Sequence, residues 1–120
     1  MRINLTADGL DLIPFLAEGG IVQTDVERQN VQVTTLGGKL WKRSKRVRGI
    51  ELSCRTMRDS FFQQISAALA PDQVSLTYTD RDTGTDRTAL FYVGERTAGV
   101  KQIRGGNTYW QGVRYYLEEM

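Results

Sequence analysis

The stretch VRGIELSCRTM (47–57), followed at once by RDSFFQQISAALA (58–70), decides the fold class. In the first half Ile50, Leu52 and Cys54 alternate with Glu51, Ser53 and Arg55, the period of two that marks a strand with one buried face. In the second half the period changes. Phe61, Phe62, Ile65 and Leu69 recur at helical spacing and make an apolar stripe suited to packing on a sheet. Thr56 or Asp59 is placed to cap this helix, and Pro71 stops it. A strand running directly into a helix of about residues 58–70 is therefore the central expectation.

Towards the C-terminus, QVSLTYTD (73–80) alternates Val74, Leu76 and Tyr78, and RTALFYVG (87–94) reads as its hairpin partner across the turn-rich RDTGTD. A short strand is expected around 100–103, then a Gly-Gly-Asn turn and a last strand, TYWQGVRYYLEE (108–119). There Tyr109, Gln111, Val113, Tyr115 and Leu117 share one face, and Trp110, Arg114 and Tyr116 the other. Towards the N-terminus, RINL (2–5) puts Ile3 and Leu5 on one face before an ADG turn, and Pro14 keeps LDLIPFL out of a central strand. In IVQTDVER (21–28) Val22 and Val26 are the better inward candidates. Residues 29–46 carry no sustained period and read as a long loop, against a usual connection of about 4–6 residues. The expected fold is mainly β, an antiparallel β-sandwich or barrel with one helix, in a single domain spanning residues 1–120. Its core candidates are Val22, Ile50, Leu52, Phe61, Ile65, Leu69, Leu76, Phe91 and Leu117, with Trp110 as a further one.

A chain of 120 residues, 40% hydrophobic and 25% charged, can bury one core without staples. No apolar run approaches the roughly 18 residues of a membrane span, and the N-terminus lacks a signal-peptide pattern. Cys54 is the only cysteine, which excludes an intrachain disulfide and fits a reducing compartment. There is no histidine, so the commonest general base and metal ligand is missing. Cys54 sits at an inward strand position and reads as a core residue rather than a nucleophile. DRDTGTD (80–86) sets Asp80, Asp82 and Asp86 around Gly84, but an EF-hand needs glycine sixth and glutamate twelfth, where Thr85 and Phe91 stand. Asp and Gly there serve a turn. No catalytic, cofactor-binding or metal-ligating set is expected, and no enzyme.

The charge has one conspicuous feature. KLWKRSKRVR (39–48) holds six of the 16 Lys and Arg and no acid, leaving the rest of the chain at −4. Three readings stand open. As a nucleic-acid contact it would release several counterions, but Trp41 is its only aromatic for stacking. As a solvated loop it needs no partner. As an assembly surface, a basic segment on an acidic body suits a neighbouring copy, and Trp41 among arginines has the composition of an interface anchor. The interface candidates are Lys39, Trp41, Lys42, Arg43, Lys45 and Arg46.

The order of elements resembles small tail proteins of siphophages and prophages, the tail-tube and distal-tail (tail hub) family of β-sandwich ring formers. The resemblance is carried by INLTADGLDL, by TTLGGKLWKRSKR leading into VRGIELSCRTM, by the helix RDSFFQQISAALA, and by the hairpin VSLTYTDRDTGTDRTALFYVG with the closing TYWQGVRYYLEE. It implies a non-enzymatic structural subunit of the tube, distal-tail or tail-completion type. Such a subunit forms a ring homo-oligomer, commonly a hexamer, with other tail proteins around a channel. DNA passes there without specific binding, and no membrane is involved. It further implies residence in a virion tail after assembly in the bacterial host cytoplasm, with residues 29–46 as the assembly loop.

Overall fold

A computed structural model describes the backbone of residues 3–34 and 39–120, and their side chains outside 27–45. The chain is mainly β, one antiparallel sheet curled into a half-barrel with a single helix. Its strands are β1 (Leu5–Ala7), β2 (Leu10–Asp11), β3 (Leu16–Thr34), β4 (Lys39–Cys54), β5 (Met57–Arg58), β6 (Gln73–Thr79), β7 (Asp86–Arg104) and β8 (Asn107–Glu119). The helix α1 covers Asp59–Ala68, and a 3₁₀ turn, Ile13–Phe15, forms at Pro14 between β2 and β3. The sheet order is β2-β1-β6-β7-β8-β4-β3, with β5 paired to β8.

The core is where period-two alternation predicts it. Ile50, Leu52 and Cys54 from β4, Val74, Leu76 and Tyr78 from β6, Phe91 and Val93 from β7, and Val113, Tyr115 and Leu117 from β8 are all buried. Ile65 and Leu69 from the helical stretch close one side, while Phe61, Phe62 and Trp110 pack on the core partly buried. Phe15 stacks on Phe61 with centroids 4.2 Å apart, and Phe62 on Trp110 at 4.7 Å. The expected helix cap is not found. Arg58 is the N-cap and makes no side-chain cap bond, and Thr56 plays no such part. Asp59 Oδ1 instead accepts a hydrogen bond from Trp110 Nε1 at 3.1 Å, which pins the helix to β8. At the other end Arg96 donates to the carbonyls of Leu69, Ala70 and Pro71, which fastens the turn that follows the helix to β7.

Three further expectations are corrected. Val22 is 47% exposed, and Ile21 packs on the core in its place. The register explains it: Val22 faces Glu51, on the outer side, whereas Ile21 and Gln23 face Leu52 and Ile50. The strand expected at 100–103 is part of one long β7 with three register shifts, and with β8 it forms a hairpin closed by Gly105-Gly106. Both glycines have positive φ, 58° and 79°, as a two-residue turn of the right hand requires. Gly112, at φ 61°, sits in a further irregularity of β8. The inward set therefore changes phase there, from Val113 and Tyr115 to Trp110, so the two faces do not run unbroken along β8.

The third correction concerns residues 29–46. They are not a loop: 29–34 and 39–46 are strand, paired from Gln29↔Ser44 to Thr34↔Lys39. Residues 35–38 lie outside the described residues. Because β8 joins β4 only from Gly49 onward, 25–34 and 39–48 form a two-stranded ribbon beyond the sheet. At about 3.3 Å per residue it is roughly 30 Å long. At its base Val47 and Arg48 are still buried, and further out the sequence carries no sustained hydrophobic period. The ribbon leaves the half-barrel at the end opposite the Gly105-Gly106 turn, and the molecule measures 71 × 31 × 22 Å.

Candidate interaction surface

The six interface candidates lie in β4. In the backbone register Lys39, Trp41, Arg43 and Lys45 take alternate positions, opposite Thr34, Gln32, Asn30 and Arg28. Lys42 and Arg46 take the intervening positions, opposite Val31 and Glu27. The basic run thus occupies both register phases of β4, with Lys39, Arg43 and Lys45 on the phase of Trp41. The side chains of Lys39, Trp41, Lys42, Arg43 and Lys45 lie outside the described residues; Arg46 is exposed.

Arg48, the last residue of the basic run, is withdrawn from this surface. It is 7% exposed and points into the mouth of the half-barrel, on the same inward phase as Ile50 and Leu52. Its Nη2 lies 3.3 Å from Asp80 Oδ2 and 3.1 Å from Asp82 Oδ2, and its Nη1 lies 3.2 Å from Asp25 Oδ1. The Nη1 contact is charge attraction without hydrogen-bond alignment. Asp80, 2% exposed, also takes Arg87 Nη1 at 3.2 Å and the Asp82 backbone N–H at 2.8 Å. The outer side of the cluster is tied across the sheet's two edges. Arg81 donates to the Gln23 carbonyl at 2.6 Å and pairs with Asp25 at 2.8 Å, while Gln23 Nε2 donates to the Thr79 carbonyl. Side chains here close a gap that no backbone ladder crosses between β3 and β6.

Burial works against the Arg48 charge, but the Asp82 hydrogen bond and the charges of Asp80, Asp25 and Asp82 outweigh it and raise its pKa. The Asp82 N–H, chiefly, holds the Asp80 carboxyl below its ordinary range against desolvation, aided by Arg87 and Arg48. Asp86 is lowered by hydrogen bonds from Thr79 and Asn4. Both carboxylates thus add stability above the unfolded value of about 3.9, which is lost as pH falls through their lower folded values. These acids are therefore engaged with arginines, Thr79 and Asn4. Among the described residues no group of His, Cys, Asp and Glu could hold a metal ion.

Cys54 is buried, and desolvation pushes its thiol up to about 11. Since the thiolate is the reactive form, the folded protein at pH 8 is expected to react with a disulfide reagent at least tenfold more slowly than the unfolded chain. Stopped-flow absorbance with and without denaturant checks this; equal rates would mean the site opens readily. Among the described residues no helix is long and apolar enough to cross a membrane.

The sequence reading missed the Arg48–Asp80 pair, although a signal existed. Each residue is the next inward position after an apolar series, 54-52-50 in β4 and 74-76-78 in β6, and they carry opposite charges. Comparison with known proteins brings no match: no family model, curated protein or solved structure matches the chain.

Proposed function

We propose that this chain is a non-enzymatic structural subunit of a phage or prophage tail, of the tube, distal-tail or tail-completion type. It works by associating with copies of itself into rings around a DNA channel, alongside other tail proteins, in a virion tail assembled in the bacterial host cytoplasm. The observation that carries this reading is the basic ribbon standing off an otherwise acidic body. A two-stranded ribbon alone is marginally stable in water, and its strand edges are templates for pairing with another chain. A neighbouring copy would supply both a covering surface and the opposite charge.

The rival reading is a nucleic-acid-binding module that uses 39–48. A two-stranded ribbon fits a major groove, which favours it, but burial of Arg48 removes one of its six charges. Light scattering after size exclusion, across protein concentration and salt, with negative-stain images of any large species, tests the tail reading. Rings or tubes are expected. A monomer that binds DNA with a steep salt dependence would overturn it in favour of the rival.

A further inference from the structure

Resting on that reading, we propose that the ribbon of one copy docks into the groove at the seam of the half-barrel of a second copy. The sheet's two edges, β2 and β3, do not meet at this seam. Between them lies a groove of about 600 Å³, lined by Ile3, Asp11, Ile13, Leu16, Glu18 and Ile21 among others, with no basic residue among the described residues of its wall. Its floor is apolar and open: Ile3 is 51% exposed and Ile13 37%. Asp11 and Glu18 are exposed at the same place.

The ribbon has the complementary character. Residues 39–46 offer Lys39, Lys42, Arg43, Lys45 and Arg46 without an acid, and Trp41 as the large side chain an apolar pocket would take. Charge sign therefore matches ribbon to groove, and apolar surface is available on both. A chain cannot satisfy its own groove. The same strand β3 supplies the groove wall at Leu16–Ile21 and the ribbon at 25–34, and it runs away from the groove towards the ribbon tip. The occupant is therefore another copy. Because ribbon and groove are different surfaces, the contact is head-to-tail, the kind that closes into a ring or continues as a filament.

The test uses two single-cysteine chains, Trp41→Cys and Glu18→Cys, each also carrying Cys54→Ala. They are mixed, joined with a short bis-maleimide, and the linked peptides are read by mass spectrometry. A 41–18 link that requires mixing is expected. Glu18→Lys should weaken self-association about tenfold, and Arg43→Glu with Lys45→Glu in the ribbon should restore it when the variants are mixed. Copies that associate while linking elsewhere, and are indifferent to Glu18→Lys, would overturn the groove assignment and leave the tail reading standing. Failure of wild-type chains to associate at any concentration would overturn both.

Discussion

Arg48→Met is expected to lower stability at neutral pH by about 3 kcal/mol, a fall in Tm of roughly 10 °C for a chain of this size. The substitution keeps a long unbranched side chain in place and so isolates the charge. What remains is three carboxylates converging on an apolar group. Asp80 is almost wholly buried and keeps Arg87 and the Asp82 and Thr83 N–H groups, while Asp25 keeps Arg81. Removing one member of a buried ion cluster leaves the others in low dielectric without compensation, which costs more than the intact cluster contributes. The same logic fixes the pH dependence. Arg48 helps to hold the Asp80 carboxyl below its ordinary range, so without it Asp80 takes up its proton at a higher pH, and the variant sheds its uncompensated charge before the wild type loses a partner of its buried guanidinium. The deficit should therefore narrow as pH falls. Replacing both partners, Arg48→Met with Asp80→Leu, should recover more than half of the loss, since an apolar pair needs no counter-charge. Urea unfolding at pH 7 and pH 3.5 measures all of this. A deficit that is constant with pH would mean that Arg48 acts by packing alone.

That pair also shows where sequence reasoning stops. Alternation located the core of β4, β6 and the second half of β8 because one side of each strand is buried, and burial writes a period of two into the residues. Ile50, Leu52, Leu76, Phe91 and Leu117 were legible for that reason, and Ile65 and Leu69 for the equivalent helical one. Where the inward position is polar the signal inverts. Gln23, Asp25 and Arg48 continue the inward phase, but polarity read as exposure, so Val22 was taken for a core residue. Gly112 hides a phase change that needs a partner strand's register to be seen. The ribbon was illegible for a different reason: beyond its buried base at Val47 and Arg48 the sequence carries no sustained hydrophobic period. Its chemistry was plain throughout, since charge needs no phase. The acidic groove was invisible because its lining comes from the chain before β1, from β2, from the 3₁₀ turn and from β3, segments that only the fold sets around one space.

Substitution of Lys42, Arg43, Lys45 and Arg46 by Ser is expected to weaken self-association on the order of a hundredfold while leaving the fold intact. Each exposed charge pair contributes about 0.2–1 kcal/mol, so four together reach the roughly 2.7 kcal/mol that a hundredfold represents. Stability should move little, because the four positions lie in the ribbon beyond the end of β8, where β4 pairs with β3 alone. Arg48, which does hold the fold, is left untouched by this design. Unchanged circular dichroism and an unfolding midpoint near that of the wild type would confirm that division, and light scattering would report the lost assemblies. Salt provides an independent axis. Raising ionic strength shortens the screening length from about 10 Å at 0.1 M to about 3 Å at 1 M, so wild-type assemblies held by the ribbon should loosen in parallel with the substituted chain. A variant that unfolds would place the basic run inside the folding unit. A variant that assembles normally but loses DNA binding would assign the same residues to phosphate, since charge on one ribbon cannot be essential to an interface that forms without it.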